Sequence, residues 1–326
     1  MPPRFKKMTV AVGVDLGGTN VRAALIDTTD GRMVGPEAKA PVSDKRPEVV
    51  AELVDSVVRK VDPERRRAGV GIGFAGMLRG WTGVVVNAPN FGWREVDFRG
   101  LLRARLGDRT ELYNDLNAIA FGEAMYGGAK GFREVLCVYV GTGVGSGIVA
   151  DGRLYIGATH LAGELGHIKV VPGGRLCGCG QRGCLEAYAS GRNIQARAHE
   201  ELATQKSLAI ELAGGIEHVH AGFLDEAARR GDPYADRLWT EIAGYLGVSL
   251  GNAVTILNPS RLVMGGGVWY GAPELKRRTL EVFHDNLNRP SAEGFAVCDT
   301  ILGDSAGVLG AAALITNMAG GVDLAV

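Results

Sequence analysis

VAVGVDLGGTNVRAALIDTTDGRMV (residues 10–34) and VLCVYVGTGVGSGIVADGRLY (residues 135–155) are two versions of one pattern. Each begins with an apolar β-branched strand, passes through a glycine-rich turn into a second strand, and then reaches Asp-Gly-Arg and a third strand. Asp-Gly pairs between apolar runs are strong signals for hairpin turns. Each copy is therefore predicted to be a three-stranded antiparallel meander, and the repetition indicates an internally duplicated fold.

The segments around these two copies alternate between helical and strand-like patterns. Residues 47–61 and 98–107 carry apolar side chains at helical spacing, whereas residues 68–78 read as a buried strand. Residues 261–269 read as a strand that ends in three glycines, and residues 302–315 as a helix whose small side chains suit close packing. This alternation is typical of an α/β layer architecture.

The composition argues against several functional classes. The chain has 326 residues, enough for two domains, and its 36 Lys and Arg residues balance 36 Asp and Glu residues. A general binder of nucleic acid or of membrane surfaces would show a basic excess, so neither is expected. No run reaches 18 apolar residues, and no transmembrane helix is expected. Residues 1–8 are interpreted as a solvated tail, because Asp15 interrupts the next apolar run too early for a signal peptide.

The two glycine-rich turns are candidate phosphate-binding loops. Glycine lets backbone N–H groups approach an anion without interference from a Cβ atom. Neither turn matches a Walker loop or a dinucleotide fingerprint, because there is no GK[ST] sequence and a strand follows GTGVGSG. Each turn alone fits an ordinary hairpin equally well, but their equivalent positions favour phosphate binding. The candidate residues are Gly17, Gly18, Thr19 and Asn20 in the first loop, and Gly141, Thr142, Gly143 and Gly145 in the second.

The stretch GHIKVVPGGRLCGCGQRGCLEAY (166–188) concentrates possible metal ligands. It contains His167, Cys177, Cys179 and Cys184, a Cys3His set that is common at closed tetrahedral zinc sites. The spacing C-x-C-x4-C differs from the usual C-x2-C pairs, but the surrounding glycines let the backbone fold around one ion. Three reduced surface thiols beside an unrelated histidine are the disfavoured alternative, because adjacent exposed thiols are an oxidation liability. The sequence therefore predicts a structural zinc site.

Two glutamates flank this predicted zinc loop. Glu164 precedes His167 by three residues, and Glu186 follows Cys184 by two. A metal that fixes the loop would also fix these carboxylates, which can accept paired hydrogen bonds from adjacent hydroxyl groups, as on a sugar. Each glutamate alone is equally consistent with a solvated surface acid.

Asn114 and Asp115 stand where a helix is predicted to begin. Both residue types are favoured as helix N-caps, a role worth about 1 kcal/mol. An aspartate can alternatively act as a general base that accepts the proton of an attacking hydroxyl group in phosphoryl transfer. The residues alone leave both roles open.

Taken together, these motifs resemble those of the ROK family, which comprises repressors, open reading frames and sugar kinases. The resemblance covers nearly the whole chain and looks closest to the bacterial glucokinases. It implies an α/β, two-lobed, actin-like ATPase (ribonuclease H-like) fold with duplicated β-meander units. Residues 1–112 plus about 305–326 would form a smaller α/β lobe, and residues 113–304 a larger lobe with the zinc loop. The matching motifs are DLGGT (15–19), APN (88–90), ND (114–115), GTGVGSG (141–147), HLAGELGH (160–167), CGCGQRGCLE (177–186), GGG (265–267) and GDSAGVLGAA (303–312).

The same resemblance implies roles for individual residues. Asp115 would be the catalytic base on the sugar 6-hydroxyl group. His167 would bind the sugar and zinc at once, with one ring nitrogen for each. The two glycine loops would hold the phosphates of ATP, with Mg2+ near Asp15. The residues that would contact the sugar are Asn90, Asn114, Asp115, Glu164, His167 and Glu186; those beside the adenosine would be Gly265, Gly266 and Gly267.

The activity implied by the resemblance is ATP-dependent phosphorylation of glucose at O6. N-acetylmannosamine, mannose, allose and fructose remain alternative acceptors, and polyphosphate remains an alternative donor. A DNA-binding repressor of the same family is not expected, because a first strand near Thr9 leaves no room for a helix-turn-helix domain. A non-catalytic sugar sensor is disfavoured by Asp115. The resemblance also implies a homodimer or a dimer of dimers, and reduced cysteines with ATP use fit a cytoplasmic protein.

Overall fold

A computed structural model of the chain describes residues 9–288 and 293–317. The strands are β1 (Val10–Leu16), β2 (Asn20–Asp27), β3 (Arg32–Met33), β4 (Ala38–Pro41), β5 (Val70–Phe74), β6 (Met77–Arg79), β7 (Val84–Ala88), β8 (Trp93–Val96), β9 (Thr110–Asn114), β10 (Val135–Val140), β11 (Val144–Ala150), β12 (Arg153–Tyr155), β13 (Arg261–Gly265) and β14 (Ala296–Asp299). The helices are α1 (Pro47–Val61), α2 (Phe98–Leu106), α3 (Asp115–Tyr126), α4 (Glu186–Ala189), α5 (Gly191–Leu202), α6 (Leu208–Ala213), α7 (Ala221–Arg229), α8 (Pro233–Leu257), α9 (Gly267–Gly271), α10 (Pro273–Asp285) and α11 (Ala306–Asn317).

The chain divides into two compact units. Unit 1 comprises the described residues of Met1–Arg133, Gly147–Ala162 and Thr300–Val326, and unit 2 comprises those of Glu134–Ser146 and Gly163–Asp299. The sequence placed a boundary before α3, near residue 112. The structure instead includes α3 in unit 1, because α3 packs along α11.

Unit 1 is built on a sheet with the strand order β3-β2-β1-β5-β9, with β4 also paired to β2. Strands β1, β2 and β3 pair antiparallel, as the first predicted meander requires, whereas β5 and β9 continue the sheet in parallel with β1. Helix α1 begins at Pro47, a residue suited to a first helical turn, and it buries valines at helical spacing. Its buried valines are Val50, Val54, Val57, Val58 and Val61.

Small residues allow α11 to approach its neighbours closely within unit 1. The ten residues from Ala306 to Ile315 are all buried. A Cβ atom on Gly310 would overlap the carbonyl oxygen of Ala118 in α3, and one on Gly71 in β5 would overlap the carbonyl oxygen of Ala311. The small-residue face that the sequence predicted for residues 302–315 is thus a packing surface against both a helix and the sheet.

A second sheet in unit 1, which the sequence did not predict, consists of β6, β7 and β8. The predicted single strand over 68–78 is wrong, because β5 ends at Phe74 and the chain turns at residues 75–76 before β6. This small sheet leads into an aromatic cluster. The ring centroid of Phe74 lies 5.1 Å from that of Phe91, and Phe91 lies 4.8 Å from Trp93.

Unit 2 contains the parallel strands β10, β13 and β14. Strand β11 neighbours β10, runs from unit 2 into unit 1, and there pairs antiparallel with β12, as expected for the second meander. The turn at Asp151-Gly152 has φ values of 51° and 72°, the left-handed conformation typical of a two-residue hairpin. Within the described ranges, 9–288 and 293–317, every helix is too short or too polar to traverse a lipid bilayer.

Candidate active site

Strand register gathers the first group of predicted site residues at one edge of the unit 1 sheet. Leu16 at the end of β1 pairs with Phe74 at the end of β5, and Phe74 pairs with Asn114 at the end of β9. The three strands are parallel, so their carboxyl ends meet at one edge, which is where open α/β sheets bind ligands. The DLGGT loop and the Asn114-Asp115 pair therefore lie at the same edge.

Asn90 lies against the first glycine loop. A Cβ atom on Gly18 would be only 2.8 Å from the Cβ atom of Asn90, so glycine at this position permits the close approach. The carbonyl oxygen of Asn90 accepts a hydrogen bond from Lys45 Nζ at 2.6 Å, and the next residue, Phe91, is buried in the aromatic cluster. The loop itself is tight, because the Gly17 N–H donates to the carbonyl oxygen of Asn20 at 3.0 Å.

Asp15 supplies a partly buried carboxylate beside this loop. Burial raises its pKa; Arg22 opposes the increase, and Asp304 and Glu37 add to it. A Cβ atom on Gly307 would lie 3.2 Å from Asp15 Cγ, so the start of α11 passes next to the carboxylate. Mg2+ in proteins is usually bound through one or two carboxylates together with waters and substrate phosphates, so a carboxylate beside a candidate phosphate loop is a candidate oxygen ligand.

The Asn114-Asp115 pair forms the beginning of α3. Asn114 Oδ1 accepts hydrogen bonds from the N–H groups of Leu116 (3.0 Å) and Asn117 (3.2 Å), so Asn114 is the N-cap. Asp115 is the first helical residue, and its Oδ1 accepts from the Leu116 N–H at 2.9 Å. The Asn114 amide also donates to the carbonyl oxygen of Gly76 at 3.3 Å, which fixes its side chain.

Unit 2 brings together the four predicted zinc ligands. The ligand atoms of His167, Cys177, Cys179 and Cys184 all lie within 4.8 Å of one another. The Cys179 and Cys184 sulfur atoms are 3.8 Å apart, and Cys177 Sγ is 3.7 Å from His167 Nδ1. Tetrahedral zinc with Zn–S bonds of about 2.3 Å separates two sulfur ligands by about 3.8 Å. The donor set and its spacing therefore fit zinc.

The two ring nitrogens of His167 face different groups. Nδ1 lies beside Cys177 in the ligand cluster, whereas Nε2 is 3.8 Å from Glu164 Oε2. Burial raises the pKa of the Glu164 carboxyl group, with His167 lowering it and Glu186 raising it further. Nδ1 is therefore the ring nitrogen that faces the candidate metal site, and Nε2 is directed away from it toward Glu164.

The second glycine loop lies against Glu186. The Val144 N–H donates to Glu186 Oε2 at 3.0 Å, within unit 2. Gly141, Thr142 and Gly143 form the turn between β10 and β11, whereas Gly145, predicted to be part of the loop, lies inside strand β11. The turn is shorter than predicted because β11 already begins at Val144.

The glycines at 265–267 lie next to the same loop. Tyr139 near the end of β10 pairs in parallel with Gly265 at the end of β13. A Cβ atom on Gly141 would lie 3.5 Å from the backbone nitrogen of Gly267, the first residue of α9. The two glycine-rich segments therefore share the carboxyl edge of the unit 2 sheet.

Sequence reasoning missed Lys169, which contacts two of the zinc-ligand residues. Its Nζ donates to Cys184 Sγ at 2.9 Å and to the carbonyl oxygen of His167 at 3.2 Å. Three thiolates around one Zn2+ leave a net charge of −1, which an ammonium group partly offsets. The sequence gives only a weak signal for this role, because a lysine two residues after a predicted ligand has no special meaning by itself. The contact of Lys169 with Cys184 forms only when the loop folds back on itself.

The model for the ROK family matches residues 11–318, and the chain belongs to this family. Among curated proteins, the glucokinase of Streptomyces coelicolor is 36% identical over 268 residues, which is 80% of this chain and 83% of that protein. The solved ROK hexokinase of Thermus thermophilus superposes with a TM-score of 0.82 at 32% identity, covering 96% of this chain and all of that one. A ROK glucokinase of Streptomyces griseus, solved with glucose and AMPPNP, gives a TM-score of 0.73 at 32% identity, covering 94% and 99%.

These matches confirm the predicted family and the predicted actin-like α/β fold. They extend over nearly the whole length of this chain and of the solved relatives, so they do not rest on one shared motif.

Proposed function

We propose that this chain is a glucokinase that transfers the γ-phosphoryl group of ATP to O6 of glucose. The observation that carries the proposal is the edge of the unit 1 sheet. There β1, β5 and β9 run parallel, so the glycine loop after β1 and the Asn114-Asp115 pair after β9 share one edge of the sheet, with β5 between them. Supporting it, relatives at 32–36% identity are named glucokinase or hexokinase, and one was solved with glucose and an ATP analogue.

In unit 1, Asp115 accepts the proton of the sugar 6-hydroxyl group as its oxygen attacks the γ-phosphorus. Asn90 and Asn114 hold neighbouring hydroxyl groups, and the DLGGT loop binds phosphate oxygens through its backbone. Asp15 is the residue that holds Mg2+, which supplies neutralisation of phosphate charge when bound. Phosphoryl transfer needs mainly positioning and charge neutralisation, so a fixed base next to a phosphate loop is an appropriate arrangement.

In unit 2, sugar hydroxyl groups donate hydrogen bonds to the carboxylates of Glu164 and Glu186. The Nε2–H group of His167 donates a hydrogen bond to a sugar hydroxyl oxygen. The loop Gly141–Gly143 binds phosphates, and Gly265–Gly267 leave room for the adenosine. Zinc, held by the Cys3His cluster, supplies rigidity and no step of the reaction, because four protein ligands form a closed structural site.

The experiment is a coupled assay of ADP release with a panel of hexoses. Glucose with ATP is expected to give the highest kcat/KM, ahead of mannose, fructose, allose and N-acetylmannosamine. Polyphosphate is tested as a replacement for ATP by direct assay of glucose 6-phosphate. A protein that phosphorylates none of these sugars contradicts the proposal, and a preference for another hexose or for polyphosphate corrects its substrate.

We further propose that the enzyme is a homodimer or a dimer of dimers, as the ROK resemblance implies. We also propose that it acts in the cytoplasm, which fits reduced cysteines and ATP use, and without nucleic-acid partners, which fits its balanced charge. Light scattering on the purified protein tests the assembly: a mass of two or four chains is expected, and a monomer at micromolar concentration contradicts it.

A further inference from the structure

The carboxylate of Glu186 is hydrogen-bonded to the backbone at the end of the second glycine loop, within unit 2. The backbone N–H of Val144 donates to Glu186 Oε2 across 3.0 Å. A Cβ atom on Gly143 would lie 2.8 Å from the same oxygen, so any side chain at that position would compete with the carboxylate for space. The two partners are 42 positions apart in the sequence, so the bond links separate segments of the chain.

A second connection reaches the other end of the same loop. The Gly191 N–H, at the start of α5, donates to the carbonyl oxygen of Gly141 at 2.7 Å. Between the two connections, the carbonyl oxygen of Glu186 accepts from the Ser190 N–H at 3.2 Å and from Asn193 Nδ2 at 3.0 Å. The segment from Glu186 to Gly191 therefore contacts the loop at Gly141 and again at Val144.

This segment continues directly from the zinc-ligand cluster. Cys184 and Leu185, which precede Glu186, are both fully buried. Cys177 Sγ lies 3.8 Å from Glu186 Oε1. One carboxylate oxygen thus faces a ligand sulfur atom while the other holds the glycine loop.

We propose that Glu186 is a positioning residue through which the zinc loop sets the conformation of the phosphate loop, residues 141–144. The inference rests on the proposed function, because it takes this loop to bind the phosphates of ATP. An acceptor that fixes the Val144 N–H orders the loop before nucleotide arrives, and such pre-organisation lowers the entropic cost of binding. Glu186 and zinc therefore affect nucleotide affinity even when no sugar is present.

The test is calorimetric titration of the zinc-loaded protein with Mg2+ and AMPPNP, without sugar. Glu186→Ala removes the acceptor and is expected to raise the Kd roughly 10-fold or more. Glu186→Gln keeps an oxygen that can accept the same hydrogen bond, so its Kd is expected to stay within roughly 3-fold of wild type. Glu200→Ala is the matched control: Glu200 pairs with Arg175 of the zinc loop at 2.6 Å, and its loss is expected to leave the Kd unchanged.

Amide hydrogen exchange separates loop ordering from general misfolding. Residues 141–144 are expected to exchange faster in Glu186→Ala than in the other two variants, with helix α8 equally protected in all. If the amides of α8 exchange faster in Glu186→Ala, that variant is misfolded. The affinity measurement is then made on zinc-stripped wild-type protein instead. Its Kd for AMPPNP is expected to rise by a similar factor and to recover when zinc is restored.

The outcomes are distinct. Wild-type affinity in Glu186→Ala, or in folded zinc-stripped protein, overturns the inference and leaves the proposed function intact. A wild-type holoprotein that binds no AMPPNP overturns the proposed function and the inference together.

Discussion

Asn114 Oδ1 accepts a hydrogen bond from the backbone N–H of Asn117 at 3.2 Å and so caps helix α3. The sequence left the cap role and the base role open between Asn114 and Asp115. The structure assigns the cap to Asn114, while the carboxylate of Asp115 accepts one further hydrogen bond, from the Leu116 N–H at 2.9 Å. This division of roles leaves both cap bonds of Asn114 in place when Asp115 is protonated during a reaction.

Replacing Asn114 tests this division. Asn114→Ala is expected to lose about 1 kcal/mol of stability through the missing cap. It should also lower kcat, because the first turn that positions Asp115 frays. Asn114→Ser retains a capping oxygen and should recover most of the stability. Thermal unfolding and steady-state kinetics on both variants provide the measurement, and equal melting temperatures for Ala and Ser would show that the cap is not stabilising.

The ligand cluster predicts zinc in the purified protein. Elemental analysis is expected to find about one zinc per chain, as for a four-ligand structural site. Cys179→Ser should weaken zinc retention and raise the KM for glucose, because the loop that carries Glu186 loses the metal that holds it in place. Cys137→Ser provides the matched control, because Cys137 is buried in β10 outside the cluster. Active enzyme without zinc would contradict the structural role of the metal.

Glu123 gives a pH dependence of stability with a defined sign. It is fully buried in α3, and its carboxylate accepts hydrogen bonds from the Thr300 hydroxyl group, the Leu302 N–H (3.2 Å) and the Gly128 N–H (2.8 Å). Burial raises its pKa above the ordinary value, although N–H groups of Gly128, Leu302 and Ile301 oppose the shift. Between the ordinary and the raised pKa, the folded state holds a proton that the unfolded state has lost.

The contribution of this proton to stability is therefore full below the ordinary pKa and is lost as pH rises through the raised pKa. Glu123→Gln cannot titrate. The difference in free energy of unfolding, wild type minus Glu123→Gln, should accordingly fall as pH rises through that window. Urea unfolding of both proteins at a series of pH values measures it, and a difference that increases with pH would contradict the assignment.

The close packing of α11 predicts opposite effects for two glycine-to-alanine changes. In Gly310→Ala the new Cβ atom would overlap the carbonyl oxygen of Ala118, and overpacking of this kind costs about 1–3 kcal/mol or more. In Gly244→Ala, inside α8, the new Cβ atom meets nothing within 4 Å. There the gain in helix propensity is expected to stabilise the protein by up to about 1 kcal/mol. Melting temperatures that move in the same direction would contradict this account.

The spacing of apolar residues along the sequence was sufficient to predict a helix that buries one apolar face. Helix α1 covers the predicted residues 47–61, and its valines are buried as their spacing implies. The small sheet of β6–β8 escaped prediction, because its strands are only three to five residues long and half exposed. Whether such short strands form depends more on pairing with the neighbouring strands than on their own sequence.

The candidate site was predictable where chemistry is concentrated in a short segment and not where it depends on tertiary contact. The four predicted zinc ligands fall within 18 residues, and their types alone suggested the site. The contact of Glu186 with Val144 and that of Lys169 with Cys184 exist only after the loop has folded back. No local pattern encodes either, so the link between zinc loop and glycine loop required the structure.

The most direct test of the central claim is the kinetics of Asp115→Asn measured together with its glucose affinity. In this variant, kcat is expected to fall by about 10²–10⁴-fold, the usual contribution of a general base, while the Kd for glucose changes little. A variant that keeps near-wild-type kcat would show that Asp115 is not the base, and the proposed mechanism would have to be abandoned.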